Sequence, residues 1–230
     1  MKPARLFLLC LLLATCAQAL ADGRLALAGA EYGGDNGYYY AGLLAPFPGS
    51  DLGNGFIQRY WVDWLRYDYD NSSRTITAKA LGAAVALGYA KSAEGGSFSV
   101  YAGPVYRNTD LSPDDRNSDV RGAQWGLNLS LQTDRKLNER WHAKGIASYT
   151  TGTASYWTRG RLTRKFYTHH EIGMEAIFHG NDDYTAWQAG LVLLGFQPVP
   201  HTSMGFKAGA RKTSGEDLSG YLGIELARDF

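Results

Sequence analysis

From residue 24 onward the chain repeats one pattern: about ten residues in which apolar side chains alternate with small or polar ones, then a polar turn. Val120 to Thr133 is the clearest instance. Arg121, Ala123, Trp125, Leu127, Leu129 and Leu131 fall on one face, and Gly122, Gln124, Gly126, Asn128, Ser130 and Gln132 on the other. Period two sends successive side chains to opposite faces of a strand, whereas a helix would scatter both sets around its surface. The same rhythm runs through Lys79–Tyr89, Glu171–Phe178, Ser203–Arg211 and Leu218–Phe230. It is less regular in Ser97–Arg107 and Tyr184–Phe196, and the facing of the aromatic stretch Phe56–Tyr69 is ambiguous. Arg24–Gly33, Tyr38–Leu44, Trp141–Thr150 and Ser155–Arg164 complete a set of about twelve strands. The segments between them (GGDNG, DNSSR, KSAEGG, HGNDD, QPVPHT, KTSGED) are rich in residues that tolerate tight reversals.

Two architectures accept such strands. A soluble sandwich hides its apolar face between sheets. A membrane barrel turns that face to lipid and its polar face to a lumen. The barrel fits better. The non-apolar face is crowded with Gly, Ala, Ser, Asn and Gln, and Tyr and Trp gather near strand ends, as girdle residues would (Tyr38, Tyr39, Tyr40, Tyr60, Trp61, Trp64, Tyr67, Tyr69, Tyr89, Tyr106, Trp125, Trp141, Tyr149). The last strand ends in Phe230, which looks like the sorting signal of bacterial outer-membrane proteins. The expected fold is all-β, a single antiparallel transmembrane barrel of about twelve strands over residues 22–230. An even strand number puts both termini in the periplasm, Asn108–Asp119 outside the cell and Asp134–Arg140 inside. Ala45–Gly55 is then an inner turn of unusual length.

The N-terminus reads as a cleaved signal peptide, residues 1–21. Lys2 and Arg5 precede the apolar run Leu6–Ala14, and Ala19-Leu20-Ala21 forms a small-x-small cleavage site. The run is too short for a membrane anchor. Lipidation at Cys16 is a lesser alternative, since Thr15 fits poorly before a lipidated cysteine. Cleavage removes Cys10 and Cys16, the chain's 2 cysteines, and leaves no disulfide, thiolate ligand or Cys nucleophile.

Composition narrows the function classes. Lys and Arg number 23 against 22 Asp and Glu, which argues against nucleic acid as partner. Aromatics at 13% argue against disorder. Lys144, Arg159, Arg161, Glu171, Glu175, Lys207, Arg211 and Glu225 are expected to point into the lumen. They either pair across it or line a charged or polysaccharide path. Pairing is preferred, because every barrel must fill or hydrate its interior and a buried charge needs a partner. The loop NTDLSPDDRNSD carries Asp110, Asp114, Asp115 and Asp119. Its spacing lacks the Gly and terminal Glu of a twelve-residue Ca²⁺ loop, so a solvated outer loop neutralised by Arg116 and Arg121 is expected, with no metal. Lys79 and Arg121, at strand ends on the apolar face, would meet lipid phosphates or snorkel.

Catalytic constellations are weak. His142 and Ser148 share a strand face but lie roughly 20 Å apart at about 3.3 Å per residue. His169 and His170 are read as opposite faces of one strand, and His179 and His201 lie in or near turns. No GxSxG, P-loop or zinc spacing occurs. An outer-membrane lipid A or phospholipid hydrolase and a small-solute channel stay open as alternatives. Trp61, Trp157, Trp187 and several Tyr could stack on sugars, though wall or interface roles are simpler.

The stretch YRNTDLSPDDRNSDVRGAQWGLNLSLQ (Tyr106–Gln132) resembles the outer loop and following strand of the cellulose biosynthesis protein BcsS family. YYYAGLLAPFPGSDLGNGF (Tyr38–Phe56) and YDYD (Tyr67–Asp70) are similar too, and the most specific part is LSPDD (Leu111–Asp115) followed by Val120-Arg121-Gly122. The resemblance implies a small exported protein encoded with cellulose synthase components. It implies no catalytic residues and no cofactor. The expected role is a monomeric outer-membrane accessory of cellulose production or secretion, in contact with lipid, the glucan chain or synthase components.

Overall fold

The computed structural model describes residues 23–34, 36–71, 74–182 and 184–230. The expected leader, its cleavage site and both cysteines lie outside these residues. Twelve strands are present: β1 (Leu25–Gly33), β2 (Asn36–Pro46), β3 (Asn54–Asn71), β4 (Arg74–Ala93), β5 (Gly96–Ser112), β6 (Gly122–Lys136), β7 (Trp141–Thr150), β8 (Ser155–Lys165), β9 (Glu171–Gly180), β10 (Thr185–Phe196), β11 (Thr202–Thr213) and β12 (Ser219–Asp229). Each pairs antiparallel with its sequence neighbours, and β1 pairs with β12 from Leu25↔Asp229 to Tyr32↔Leu222, so the sheet closes on itself. Closure leaves no unpaired edge, the condition for a sheet in hydrocarbon. The seam is fastened at its end by Phe230, whose N–H donates to the Arg24 carbonyl at 3.0 Å while the Arg228 guanidinium lies 5.2 Å from its ring centre.

The apolar faces read from the sequence point outward. Leu81, Leu87, Leu127, Leu129, Met174, Leu191 and Leu222 are all exposed on the wall. The largest fully buried side chains are Ile57, Ile76, Ile177, Val192 and Thr163. A water-soluble monomer does not present apolar surface on this scale. The sandwich alternative, with an oily layer between sheets, is replaced by a cylinder that is greasy outside. Inside, a small apolar cluster of Ile57, Ala86, Ala90 and Tyr101, with Leu44 against it, lines one side of the lumen, on β2 to β5, near the end that carries the termini.

The strands differ in length. β3, β4 and β5 have 18, 20 and 17 residues, against 10 in β7 and β9. At the end away from the termini, β3 to β6 therefore stand above the rest of the rim. This corrects the position of Asp110. It lies on β5 opposite Lys79 of β4 and not in the loop, because β4 is long enough to offer ladder partners as far as Ser112.

The long turn after β2 is an ordered loop, residues 47–53. The Asp51 carboxylate accepts the N–H groups of Gly53 and Asn54 at 2.7 Å each, and Ser50 Oγ accepts that of Phe56 at 3.0 Å. His169 and His170 also differ from expectation. They precede β9 in the turn after β8, where the register of β10 shifts around Gly195. Gly195 has φ of 88° and passes so near the His169 carbonyl that no Cβ would fit.

Candidate functional site

The eight charges expected in the lumen all lie on inward faces, and seven of them are ion-paired. Arg161 of β8 sits between two carboxylates. It binds Glu175 on the neighbouring β9 and, at 2.7 and 2.8 Å, both oxygens of Glu225 on β12. Arg159, two residues back on the same face, reaches Glu225 at 3.0 Å. Lys207 of β11 binds Glu31 of β1 at 2.6 Å and lies 3.8 Å from both Glu175 and Glu225. The Glu175 and Arg161 side chains are 0% and 6% exposed, so these charges persist only because each is matched. Lys144 and Glu171 form a smaller group, 3.8 Å apart, with Asp134, His142 and Thr163 around them. Arg211 is buried as well, but its Nε has no hydrogen-bond partner among the described residues.

Sequence reasoning missed four members of this lining. Glu31 receives Gln188 Nε2 at 2.7 Å as well as Lys207. Asp63 of β3 pairs with Arg107 of β5 at 2.7 Å. Arg59 donates to Asn128 Oδ1 at 3.0 Å and covers the Tyr101 ring at 4.6 Å. The missed signal was parity. Ile57, Arg59, Trp61, Asp63, Leu65, Tyr67 and Tyr69 share the inward face of β3, and this mixture is as apolar as the outward face.

Glycines position these pairs. Asp63 and Arg107 are separated by β4, whose residue in that row is Gly82 (Asp63↔Gly82↔Arg107). A Cβ there would lie 2.6 Å from Asp63 Oδ1. Lys207 and Glu31 are likewise separated by β12, whose residue between them is Gly223. The bare backbone lets each long side chain cross it to the next strand but one.

The aromatic residues divide. Tyr39, Tyr60, Trp64, Tyr89, Tyr106, Trp125 and Tyr149 face outward, and Phe56–Tyr89, Tyr39–Trp64 and Tyr106–Trp125 touch in pairs as interfacial girdle residues do. Tyr38, Tyr40, Trp61, Tyr67 and Tyr69, also expected in the girdle, face the lumen instead. Tyr40 is the register partner of Asp63, and Trp61 shares its strand face. Three inward rings each lie over the glycine directly opposite on the neighbouring strand: Tyr40 over Gly29, Trp61 over Gly42 and Tyr101 over Gly88. A Cβ at any of these glycines would collide with the ring. Of the other tryptophans considered for sugar contact, Trp157 faces the lumen beside Arg159 at 5.5 Å, and Trp187 is exposed on the outer wall.

The acidic loop is held by hydrogen bonds and an ion pair among its own residues and those beside it. Arg121 grips Asp114 through Nε at 2.6 Å and Nη2 at 3.1 Å, and Arg74 donates to the Asp114 carbonyl at 2.8 Å. The Arg121 guanidinium holds the Asp114 carboxyl below the usual carboxylate range. Asp115 is buried and accepts from the Tyr69 hydroxyl at 3.2 Å and the Asn117 N–H at 3.2 Å. The Asp119 carbonyl accepts from Gln124 Nε2. Asp110 stands apart on β5. Among the described residues no group of three or more His, Asp or Glu is placed to hold a metal ion, and no hydrogen bond joins a serine to a histidine. His142 meets Glu171, His179 meets the Tyr184 hydroxyl at 3.2 Å, and His201 meets Asp229 at 3.2 Å.

A closed twelve-strand cylinder, apolar outside and ionic within, is an outer-membrane β-barrel. Solved structures of that class are similar in fold at low identity. An outer membrane channel from Pseudomonas putida F1 aligns with TM-score 0.61 and 10% identity, over 92% of this chain and 97% of that one. The translocator domain of the autotransporter NalP from Neisseria meningitidis gives 0.54 and 10%, over 94% and 92%. The KdgM porin gives 0.51 and 12%, over 90% and 99%. No curated protein matches the chain. The sequence profile of the cellulose biosynthesis protein BcsS family matches residues 25–230, and the chain belongs to that family.

Proposed function

We propose that this barrel is a non-catalytic accessory of cellulose production, exported through a leader cleaved after Ala21 and inserted with both termini in the periplasm. The observation that carries the reading is the belt of paired charges across the lumen. Arg159 and Arg161 of β8 and Lys207 of β11 converge on Glu175 of β9 and Glu225 of β12, and Lys207 also binds Glu31 of β1. Such a belt braces the cylinder and takes up interior space, which suits an anchoring or contact role better than free passage of small solutes. The hydrolase reading needs a Ser–His pair on neighbouring strands, and three of the 5 histidines, His142, His179 and His201, are engaged with carboxylates and a tyrosine instead. The end carrying the termini, with its ordered loop at residues 47–53, is where components of a synthase complex would dock from the periplasm. The opposite end, with its tall β3–β6 wall, faces outward.

Deletion of the gene, complemented in trans, tests the role. Extracellular cellulose is expected to fall and to return with the wild-type copy, with glucan synthase activity in isolated inner membranes unchanged. Normal cellulose deposition in the deletion strain overturns the proposal.

A further inference from the structure

We infer that a cavity on the outer wall, at the end that carries the termini, is a binding site for the headgroup of an anionic phospholipid. The cavity measures about 430 Å³ and lies where the β8–β9 and β10–β11 turns meet, with His170, Phe196, Gln197 and Met204 in its lining. It stands outside the barrel and not in the lumen. Met204 shares its strand face with Phe206, which is exposed on the wall and touches Phe196. Phe196 is the register partner of Met204 and packs edge-on against the His170 ring, with centroids 5.0 Å apart. The bulge around Gly195 shapes the site, because one extra residue bends β10 and brings Gly195 against the His169 carbonyl. The cavity is thus continuous with the lipid-facing wall and clear of the charge belt.

The polar groups decide what kind of molecule fits. His170 Nδ1 is buried with no hydrogen-bond partner among the described residues, so the ring at the cavity's edge is left unsatisfied by its own surroundings. The lining contains no Asp or Glu. Arg164 of β8 is exposed and faces outward in one row with Ile172, Leu193 and Phe206. In the turn below that row the Phe166 N–H donates to the His170 carbonyl at 3.1 Å, which sets Arg164 diagonal to His170. Such a diagonal is about 7–8 Å, within reach of a long side chain. The nearest carboxylates of β9 do not compete for the guanidinium, since Glu171 and Glu175 face the lumen with Lys144 and Arg161. On the other flank Arg228 of β12 is diagonal to Met204, and its Nε is also buried without a partner among the described residues. Guanidinium and imidazole N–H groups donate to a phosphodiester. A glycerolipid brings that group to the depth of an interfacial aromatic layer, with its acyl chains along Leu193 and Phe206. A choline or ethanolamine headgroup would add a cation with no carboxylate to meet it, whereas a glycerol headgroup leaves the net negative charge that a basic pocket selects. The leaflet rests on the orientation proposed above, while the site and the class of headgroup rest on the geometry.

The test uses the full-length mature chain, delipidated in detergent micelles, with the folded barrel verified by heat-modifiable gel mobility. Phosphatidylglycerol is titrated and its adducts are resolved by native mass spectrometry, with phosphatidylcholine of the same acyl chains as the zwitterionic comparison. Wild type is expected to take up a first phosphatidylglycerol saturably and phosphatidylcholine about tenfold more weakly. Arg164→Gln is expected to weaken that first adduct about tenfold. His170→Phe, which keeps a ring against Phe196 but removes both nitrogens, should weaken it about fivefold. Arg135→Gln removes another outward cation at the same end of the barrel, on β6 and away from the cavity, and should leave the adduct intact. Excess glycerol phosphate should not displace the lipid. The inference fails if folded wild type shows no saturable adduct, if the two lipids bind equally, or if Arg164→Gln and His170→Phe bind as wild type does. It fails too if Arg135→Gln costs as much as Arg164→Gln, which would mean diffuse attraction to a charged rim, or if glycerol phosphate displaces the lipid, which would mean a site for a free phosphate ester. The cellulose content of the deletion strain is independent of all these readouts, so the accessory role and the lipid site stand or fall separately.

Discussion

Asp63 and Arg107 meet at 2.7 Å although a whole strand, β4, runs between theirs. The Asp63 side chain is 7% exposed and that of Arg107 is 30% exposed. Removing the guanidinium leaves a buried carboxylate without its charge partner. Arg107→Ala is expected to destabilise the barrel by about 2 kcal/mol, the range of a charged hydrogen bond lost at a partly screened site. Asp63→Asn combined with Arg107→Ala should recover part of that loss, because the buried charge is gone. Guanidinium-induced unfolding in detergent, monitored by tryptophan fluorescence, measures both.

The glycine between them is as necessary as the charges. Gly82→Ala places a methyl group 2.6 Å from Asp63 Oδ1 and must push the carboxylate away from Arg107. Gly160, on β8, has nothing within 4 Å of the same hypothetical Cβ. Gly82→Ala is expected to cost about 1–2 kcal/mol and Gly160→Ala less than about 0.5 kcal/mol. The temperature at which gel mobility shifts from folded to unfolded should drop for the first variant alone.

The charge belt predicts poor conduction. Wild-type protein in planar bilayers is expected to pass little current. Arg161→Ala combined with Glu225→Ala removes the residues where Arg159, Glu175 and Lys207 converge, and should raise single-channel conductance. A wide, steady wild-type pore would contradict the filled lumen.

Acid should loosen the outer loop before it affects the barrel. The Asp114 carboxyl is held below its usual value of 3.8, so the contact with Arg121 contributes order above the unfolded value. That contribution is lost as pH falls through the lower folded value. Amide protection in residues 113–121, corrected for the intrinsic exchange rate and compared at pH 6 and at a pH below the lowered folded value, should fall at the lower pH in wild type. In Asp114→Asn it should be low at both.

Tryptophan placement gives a direct reading of the two faces. Trp125 is 71% exposed on the outer wall and Trp61 lies inside. Brominated lipids should quench Trp125 in a variant that keeps it as the single tryptophan, and should leave Trp61 bright in the matching variant. Equal quenching would contradict the facing of β3.

The strands and most of their facing were legible in the sequence because alternation is a local property. One residue outward and the next inward follows from backbone geometry wherever lipid and lumen differ enough in chemistry, as on β6 with Trp125, Leu127, Leu129 and Leu131 against Gln124, Asn128 and Ser130. The eight inward charges were found by that rule alone. It failed on β3, where the lumen holds Ile57, Trp61 and Leu65, so both faces are apolar and the contrast disappears. Trp61, Tyr67 and Tyr69 were consequently assigned to the girdle, as were Tyr38 and Tyr40 of the three-tyrosine run on β2. The family resemblance was carried by the loop phrase LSPDD and the residues around it, which owe nothing to facing.

Period-two patterning by itself determined about twelve two-faced strands, since each strand needs only its own residues to declare its two sides, and the small-polar face with aromatic strand ends favoured a lipid-facing cylinder over a sandwich. Closure of the sheet decided the rest. Only once β1 joins β12 does Glu31 come within reach of Lys207 over Gly223, and only the register of β1, β2 and β3 lays Tyr40 and Trp61 over Gly29 and Gly42. These partners are far apart in the chain and are joined by rows that run across the strands, a direction that alternation along one strand does not encode.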